Sequence, residues 1–471
     1  MANTILNTIA ALEEALPAGR VVRDEETLRS RRHDYWGLQA VLDRGPSAAP
    51  SPAVVVRPQS TDEVASVMRI ADQHRMPVVP FGLGSGVCGA FLPGSEALVL
   101  DLGQMDRLLD VDEKSLIASV QPGLRGSTFE ADLNARGLTL GHFPQSIGVS
   151  SLGGWLATRA SGQFSTRYGN IENMVLGLEV VLAGGRVLRC GATPRSSTGP
   201  DLKQLFIGSE GTLGVITGID LALWPRPDCQ QGFAMRLPSW EAGLEVTREL
   251  LQGGYRPAVL RLYDGIEAQR NFAEWFPEPA HLLLVLSEGQ ESMRHGLELE
   301  VEAALTACLA QGGTQLGREP LDHWLGRRNH VPSWDDLLAA GLVVDTIEVS
   351  ATWRNVAPLY ERVTAAMAAV PGILQASGHT SHAYTSGVNI YFTFVGQATD
   401  PLEQERIYRA AWAATMEATL GCGASIAHHH GIGRVRREWL PRELGDTGIE
   451  TLRAVKAALD PNGILNPGCL I

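Results

Sequence analysis

The chain has 471 residues, of which 44% are hydrophobic and 19% are charged. This balance is typical of a globular protein with a large core and excludes a mostly disordered chain. The 39 basic and 52 acidic residues give a net charge of −13, and the longest basic run is Arg31-Arg32-His33, so we expect no nucleic-acid partner. None of the six cysteines forms a CxxC pair, which argues against a disulfide framework or a structural zinc site.

The first 47 residues predict an N-terminal helical segment. Residues 1–19 carry two glutamates within their apolar pattern and lack the basic region of a signal peptide. No apolar run in the chain approaches the roughly 20 residues needed to span a bilayer. We therefore expect a cytoplasmic protein with no membrane span. The residues that would share one side of this helix are Ile5, Ile9, Leu12 and Leu16.

A β-α-β unit follows, with strands over 53–57 and 77–81 and a helix between them that begins at the capping box of Ser60 and Glu63. The next loop, Gly82-Leu83-Gly84-Ser85-Gly86, suggests a dinucleotide fold, but further glycines and a proline make a helix after it improbable. Consecutive amides without side chains can instead close on a pyrophosphate. A plain glycine-rich turn is an equally good interpretation of this loop alone.

Two more segments rich in glycine and hydroxyl residues lie at 150–162 and 208–217. Three such segments indicate that several stretches of backbone lie against one large ligand, for which a dinucleotide is the natural candidate. After Pro225 and Pro227 the pattern changes to helices and strands of a second, α+β domain. The predicted helices cover 239–252, 294–310, 401–420 and about 447–459, and the predicted strands include 281–287 and 388–396.

These segments together resemble the FAD-linked oxidases of the vanillyl-alcohol oxidase and p-cresol methylhydroxylase (PCMH) superfamily, and within it alkyldihydroxyacetonephosphate synthase. The resemblance runs from about residue 50 to the C-terminus. The stretches that carry it are Gly141-His142, Gly153-Gly154-Trp155, Thr158 to Gly162, Tyr168 to Glu172, Ser197 to Asp201, Gly208 to Thr217, Gly387 with Ile390-Tyr391-Phe392, His428 to Gly433, and Asp460-Pro461-Asn462.

The resemblance implies an α+β fold in four parts: an N-terminal helical segment (1–47), a PCMH-type FAD-binding domain (48–228), an α+β cap or substrate domain (229–425) and a C-terminal segment (426–471) that returns to the FAD domain. It also implies a homodimer, and non-covalent FAD because the pyrophosphate loop holds Ser85 and no histidine. The residues it places along FAD are Phe81, Gly82, Leu83, Gly84, Ser85, Gly86, Val87, Pro144, Ser146, Ser151, Gly153, Gly154, Thr158, Ser161, Glu210, Gly211, Gly214 and Ile216.

Tyr391 and the histidines are the candidate proton-transfer groups. Tyr391 and Thr393 alternate with apolar residues and so share one face of a strand. From the pattern alone a half-buried structural tyrosine is favoured, whereas the resemblance implies an acid–base group facing the flavin. Histidine titrates near neutrality, so His428, His429 and His430 suit proton transfer or anion binding, although one or two of them could be purely structural.

Arg261 lies between apolar neighbours, and it could be a surface residue paired with Asp264 or, as the resemblance implies, a clamp for a carboxylate or phosphate. His379 stands where the synthase has an arginine, and Thr393 replaces a tyrosine, which weakens the case for the same phosphorylated substrate. We assign no metal. One alternative stays open, because His379, His382 and the triple histidine could gather round a zinc-like ion, as in the related D-2-hydroxyacid dehydrogenases.

The predicted function is that of an FAD-dependent enzyme acting through flavin N5 on a small oxygenated, anionic substrate, similar to alkyldihydroxyacetonephosphate synthase. The first alternative is a dehydrogenase or oxidase of a D-2-hydroxy acid or another alcohol. In that case Arg261 would orient a carboxylate while Tyr391 and the histidines take a proton. The second alternative is a non-catalytic FAD-binding or electron-transfer subunit, against which the retained tyrosine, arginine and histidines argue.

Overall fold

The structure is a computed structural model that describes residues 2–471. Helix α1 (Ala2–Ala15) packs its apolar side, with Ile9 and Leu12 fully buried, on the first sheet's helix α4 (Thr61–His74), as the apolar spacing predicts. Two short helices, α2 (Glu25–Arg29) and α3 (Gly37–Leu42), complete the N-terminal segment. Among the described residues, no helix is both long and apolar enough to cross a membrane.

The first sheet contains the predicted β-α-β unit. Helix α4 connects β2 to β3, and both strands run parallel to β4, which lies between them. The strand order is β1-β2-β4-β3. The hydroxyl of Ser60 accepts a hydrogen bond from the Glu63 amide at 3.2 Å, which is the predicted cap. The strands are β1 (Val21–Val22), β2 (Val54–Val56), β3 (Val78–Phe81) and β4 (Leu98–Asp101).

The second sheet is antiparallel with the order β5-β6-β10-β8-β9, and a separate strand pair, β7 with β11, lies beside it. The strands of the sheet and of the separate pair are, in chain order, β5 (Leu108–Asp112), β6 (Ile117–Val120), β7 (Leu138–Thr139), β8 (Val175–Val181), β9 (Val187–Cys190), β10 (Val215–Ala222) and β11 (Trp224–Pro225). The helices in this part are α5 (Gly126–Asn134), α6 (Leu152–Thr158), α7 (Ser165–Tyr168), α8 (Ile171–Met174) and α9 (Lys203–Phe206).

The third sheet is antiparallel with the order β15-β12-β14-β13-β17-β19-β16, and β18 pairs with β19. Its strands are β12 (Cys229–Leu237), β13 (Val259–Tyr263), β14 (His281–Gly289), β15 (Thr314–Gly317), β16 (Leu342–Thr352), β17 (Ile373–Thr380), β18 (Ala383–Tyr384) and β19 (Gly387–Gln397). Its helices are α10 (Trp240–Gln252), α11 (Gly265–Asn271), α12 (Arg294–Ala310), α13 (Glu319–Arg327), α14 (Trp334–Ala339), α15 (Val356–Ala368) and α16 (Pro401–Gly421).

One face of the third sheet forms a core with helices α10, α15 and α16, to which the strands contribute alternate residues such as Leu260, Leu262, Ile390 and Phe392. The residues between these point to the opposite face, because successive side chains in a strand alternate. That face therefore carries Arg261 and Tyr391. The alternation predicted for residues 388–394 is present, with Ile390, Phe392 and Phe394 fully buried.

The C-terminal segment returns to the first sheet after helix α17 (Leu440–Leu459), which is kinked at Gly445. Val78 of β3 donates to Ile464 O at 2.8 Å and accepts from the Asn466 amide at 2.8 Å, so residues 464–466 extend the edge of the sheet. The predicted mixed helix-and-sheet fold, in which the end of the chain returns to the first domain, is confirmed.

Candidate active site

The glycine loop after β3 offers a row of free backbone donors. Within residues 2–471, none of the amides of residues 83–87 donates a hydrogen bond to another protein group. A Cβ atom added at Gly82 would lie 2.4 Å from Oγ of Ser151, and one at Gly86 would lie 3.0 Å from Oδ2 of Asp34. Free amides in a space too tight for side chains suit an anion such as a pyrophosphate.

The second glycine segment forms the start of helix α6. The Ser151 hydroxyl caps this helix by accepting from the Gly154 amide at 3.3 Å. A Cβ atom at Gly153 would lie 2.6 Å from Cβ of Pro122, so only glycine allows this close approach. Two predicted cofactor contacts use their hydroxyls locally, because Thr158 donates to Gly154 O at 3.0 Å and Ser146 to Ser150 Oγ at 3.3 Å. Ser161 and Pro144 are buried beside them.

In the third segment, glycines allow close packing, and the polar groups of Glu210 are bonded within the protein. Gly211 lies against Pro80, and Gly214 lies against Val180 beside the buried Ile216. The Glu210 carboxylate accepts from the amides of Ile432 at 2.6 Å and Gly433 at 2.9 Å, and its own backbone groups are bonded to the protein as well. The prediction that Glu210 contacts the cofactor therefore has no free polar group to support it, and Glu210 instead joins the first domain to the C-terminal segment.

Several buried polar atoms near these segments lack a partner. Both ring nitrogens of His142 are buried and unpaired within the described chain, and so are Oδ1 of Asn170 and Oε2 of Glu172. Burial lowers the pKa of His142 to about 3, so this imidazole is neutral. Buried polar atoms are almost always paired in folded proteins. These unpaired atoms, together with the free amides of the glycine loop, fit a large polar ligand such as FAD.

Arg261 is half-buried and lies in a hydrogen-bond network with Tyr263, His379 and Glu267. Its Nε donates to the Tyr263 hydroxyl at 2.6 Å, and its Nη2 donates to Nε2 of His379 at 2.6 Å. Because a guanidinium only donates, His379 accepts at Nε2 and donates from Nδ1 to Glu267 Oε2, at 2.6 Å. The surface pair of Arg261 with Asp264 is therefore wrong, since Asp264 is buried and accepts from the Gly378 amide.

The charges of this network are closely balanced. Burial and the neighbouring Arg261 lower the pKa of His379 to about 4, so this histidine is neutral at pH 7. Burial alone would raise the pKa of Glu267, but His379, Arg270 and Thr393 outweigh it and lower that pKa to about 2. Thr393 contributes by donating to Oε1 of Glu267 at 2.7 Å. Arg270 pairs with Oε1 of Glu267 at 3.3 Å. The network thus holds two guanidinium groups, those of Arg261 and Arg270, and the carboxylate of Glu267.

Tyr391 lies between this network and the triple histidine. In the third sheet it is paired with His379 of β17 on one side and Glu348 of β16 on the other. Its ring stacks on that of His379 with the centroids 4.9 Å apart, and its hydroxyl lies 3.4 Å from Nε2 of His430. The Thr346 hydroxyl donates to it at 3.0 Å. Burial raises the pKa of Tyr391 above its usual value, so Tyr391 stays protonated at neutral pH.

The triple histidine lies in a loop, and its rings point in different directions. Nδ1 of His428 is 2.8 Å from Nδ1 of His429, and Nε2 of His428 is 2.7 Å from the Tyr384 hydroxyl. Burial lowers the pKa of His428 to about 4 and those of His429 and His382 well below the usual value. Nδ1 of His382 pairs with the Ser165 hydroxyl at 2.7 Å.

One ring nitrogen from each of His382, His428 and His429 lies within 4.8 Å of the others, so these are the residues that could hold a metal ion. His379, which the alternative with a metal also included, is bonded to Arg261 and Glu267 instead. All three histidines of the group are neutral and could donate a lone pair.

The sequence reasoning missed Glu267, Glu348 and Arg436. Glu348 and Arg436 are fully buried and form an ion pair behind the triple histidine. Glu348 stands between Ile347 and Val349, and a charge inside an apolar strand is the same signal that identified Arg261. Glu267 has the spacing of a helix cap after Asp264, which concealed its contact with His379.

Comparisons with known proteins agree with this geometry. Residues 52–191 match the model of an FAD binding domain, and residues 227–470 match that of the FAD linked oxidases, C-terminal domain. The chain is 31% identical to the Uncharacterized FAD-linked oxidoreductase YgcU of Escherichia coli K12, over 98% of this chain and 97% of that protein. It is 30% identical to the alkyldihydroxyacetonephosphate synthase of Caenorhabditis elegans, over 89% of this chain and 76% of the relative.

The glycolate oxidase subunit GlcD of Bacillus subtilis is 28% identical over 90% of both chains. Solved structures of an alkyldihydroxyacetonephosphate synthase (TM-score 0.79, 23% identity, 98% of this chain and 84% of that one) and of p-cresol methylhydroxylase (TM-score 0.78, 16% identity, 99% and 97%) share the fold. The match of the C-terminal model covers more than half of the chain. The protein therefore belongs to the FAD-linked oxidases, with the PCMH-type fold, and FAD is its cofactor.

Proposed function

We propose that the protein is an FAD-dependent dehydrogenase or oxidase that acts on a small acid with a hydroxyl group next to its carboxylate. The observation that carries this proposal is the contact of one imidazole, His379, with both Arg261 and Tyr391. Through His379, the guanidinium of Arg261, which can bind a carboxylate, lies near the hydroxyl of Tyr391, which can accept a proton. The relative named as a glycolate oxidase subunit supports the same substrate class.

The balance of charge favours a singly charged substrate. The buried carboxylate of Glu267 is paired with Arg270, whereas Arg261 bonds only to the neutral groups of Tyr263 and His379. His379, His428 and His429 are neutral because burial lowers their pKa values. One guanidinium matches the single charge of a carboxylate, whereas a phosphate ester carries about 1.5 to 2 negative charges at neutral pH. The second guanidinium of the network, Arg270, is paired with Glu267 at 3.3 Å and so does not supply the further positive charge that a phosphate would need.

In the proposed reaction the protein holds and moves the hydroxyl proton. Tyr391 stays protonated, so it relays the proton: it accepts one from the substrate hydroxyl as it gives its own to Nε2 of His430. Arg261 orients the carboxylate, and its hydrogen bond to His379 fixes the direction of the guanidinium. FAD, when bound by the glycine loop, supplies the acceptor for the hydride removed from the substrate carbon. The product is a keto acid.

A second candidate function is a synthase-like exchange, in which the acyl group of an acyl-dihydroxyacetone phosphate is replaced by an alcohol with no net oxidation. The similarity to alkyldihydroxyacetonephosphate synthases over most of the chain favours it. His379 in place of an arginine counts against it, because the site then has one guanidinium fewer for the phosphate.

An anaerobic titration of the FAD-loaded protein separates the two. We expect D-2-hydroxy acids to bleach the flavin absorbance and air or a dye to restore it. Bleaching only by an acyl-dihydroxyacetone phosphate, with release of fatty acid and no need for an acceptor, would replace the first candidate with the second. A protein whose spectrum responds to neither class would be an FAD-binding or electron-transfer subunit.

We further propose that FAD is bound non-covalently and that the chain forms a homodimer. Ser85 stands in the pyrophosphate loop, which holds no histidine for attachment. Acid precipitation should leave the flavin in the supernatant, and sedimentation equilibrium should give twice the mass of the chain. Flavin that stays with the precipitate, or a mass of 50.6 kDa, would contradict the respective proposal.

A further inference from the structure

We propose that Glu348 is a positioning residue that holds the loop His428-His429-His430 over Tyr391. The catalytic consequence of this inference rests on the proposed function, whereas the geometry on which it stands does not. Glu348 touches neither the substrate-binding Arg261 nor the glycine loop, and it acts through the histidines.

One oxygen of Glu348 binds the backbone of all three histidines. Oε1 accepts from the amides of His428 at 3.2 Å, His429 at 3.1 Å and His430 at 2.8 Å. Consecutive amides that converge in this way form a nest, which is a common site for a bound anion. Here the anion belongs to the protein itself, so the carboxylate determines the path of the loop.

The other oxygen is held by Arg436. Arg436 is fully buried, pairs with Oε2 of Glu348, and also donates to Glu348 O at 3.1 Å and to Gly431 O at 2.7 Å. Oε2 lies 3.1 Å from Nδ1 of His430 as well. Burial alone would raise the pKa of Glu348, but Arg436 and His430 outweigh it and hold that pKa well below the usual value. The carboxylate is therefore charged, with the three amides bound to one oxygen and Arg436 bound to the other.

The strand register brings this clamp to Tyr391. Glu348 and Tyr391 are direct partners in the pairing of β16 with β19. The loop that binds to Glu348 must therefore pass Tyr391, which explains why the ring centroids of His429 and His430 lie 5.8 Å and 5.4 Å from that of Tyr391. Without the carboxylate, nothing else among the described residues accepts hydrogen bonds from these three amides.

Two double variants test the role of the acceptor. Each variant combines Arg436→Met with either Glu348→Gln or Glu348→Ala. Arg436→Met is included because a change at Glu348 alone would leave the buried Arg436 cation without its partner. Both variants lack the buried charge, and only glutamine keeps an oxygen for the three amides. We expect amide hydrogen exchange at residues 428–430 in the FAD-loaded protein to be about tenfold or more faster with alanine than with glutamine.

The kinetic experiment measures two quantities: the limiting rate of flavin reduction at saturating substrate, and the substrate concentration at which the rate is half of that limit. We expect alanine at 348 to lower the limiting rate about 100-fold with little change in that concentration, and glutamine to restore most of the rate, because misplaced acid–base groups affect the chemical step. Glu443→Ala is the matched control, because Glu443 accepts from the Ile426 amide at 2.8 Å but lies at the surface away from the rings.

Equal exchange at residues 428–430 in the two double variants would overturn the inference, and so would faster exchange without any difference in rate between them. Failure of the proposed function can be distinguished from failure of this inference. If no hydroxy acid reduces the wild-type flavin, the substrate proposal fails while the exchange measurement still decides whether Glu348 holds the loop.

Discussion

Asp34 is a buried carboxylic acid beside the glycine loop. Only one of its oxygens is bonded, to the Phe91 amide at 3.2 Å, and the other is buried without a partner. Burial raises the pKa of Asp34 to about 8. At neutral pH the group is therefore largely uncharged, and it does not repel an anion bound to the amides around Gly86.

We expect Asp34→Asn to raise the melting temperature at pH 8 and to have little effect at pH 4. Between the ordinary pKa of 3.8 and the native value of about 8, the folded protein holds a proton that the unfolded chain has released. The wild-type protein thus loses stability as pH rises through this range, and the asparagine variant does not. Thermal unfolding of both proteins at pH 4, 6 and 8 measures the difference in melting temperature.

Asp43→Asn serves as the control with the opposite sign. Although burial opposes ionisation, the Ala49 amide, Gln39 and Arg32 hold the pKa of Asp43 below its usual value, so asparagine there should lower stability at neutral pH. A gain for Asp34→Asn that does not depend on pH would show that packing, rather than ionisation, sets the effect.

Tyr391→Phe removes the hydroxyl that we propose as the proton relay. The ring can keep its stacking on His379, so we expect normal FAD content and a rate of flavin reduction lower by a factor of about 100 to 10,000. Stopped-flow absorbance under anaerobic conditions measures the rate, with the exposed Tyr255→Phe as control. A fall of less than threefold would leave His430 or another group as the direct acceptor.

At the scale of elements, the glycine loop between β3 and β4 illustrates how backbone replaces side chains. Its amides are free to bind, and neighbouring side chains approach too closely for a Cβ atom. Free amides together with tight packing favour a binding loop over an ordinary turn. The sequence alone allowed both interpretations.

We expect Gly82→Ala to weaken FAD binding about tenfold or more, because its Cβ would lie 2.4 Å from the Ser151 hydroxyl and must displace the loop or the start of α6. Gly94→Ala is the matched control, since no atom lies within 4 Å of its Cβ and its φ is not positive. Fluorescence titration of apoprotein with FAD gives both affinities. Equal affinities would show that the loop does not hold FAD.

The local features of the fold could be predicted because they depend on short stretches of sequence. The cap at Ser60, the helix over 294–310 and the two faces of the strand at Tyr391 all follow from spacing. Glu348 could not be placed in the same way. It reaches the histidine loop only through the register of β16 with β19 and through Arg436 on a distant part of the chain.

For other candidate residues of the site, the sequence indicates the type of residue but not its partners. Arg261 was recognised as unusual, yet its contact with His379 requires β13 and β17 to be neighbours. The family resemblance places Glu210 along the cofactor, and no pattern in the sequence indicates that its carboxylate binds amides more than 200 residues later. The division of the chain at residues 47, 228 and 425 remains a prediction.

At the scale of the whole molecule, the C-terminal segment is bonded to the first part of the chain. Asn466 donates to Ala90 O at 3.0 Å and to Glu210 O at 2.7 Å, and its φ of 37° is better tolerated by asparagine than by most residues. Lys456 donates to Thr212 O and to Leu465 O, both at 2.7 Å. A few hydrogen bonds therefore tie the end of the chain to the third glycine segment and to Ala90, which follows the first one.

We expect Asn466→Ala to lower the free energy of unfolding by about 1 to 3 kcal/mol, because it leaves two carbonyl groups unpaired and strains the backbone. Asn462→Ala is the control, since Asn462 makes one exposed hydrogen bond to Asp72, and we expect a change below about 0.5 kcal/mol. Urea unfolding followed by circular dichroism measures both. Similar values for the two variants would show that the return of the chain contributes little to stability.

The pairing of Val78 with residues 464–466 also has a consequence for biosynthesis. The first sheet can form once β4, which lies between β2 and β3, has left the ribosome, but the outer edge of β3 has no partner until Leu465 has been made. His428, His429 and His430 likewise arrive after the rest of the site. A nascent chain that has acquired the glycine loop therefore still lacks these histidines, and it exposes an unpaired sheet edge, which is a feature prone to aggregation.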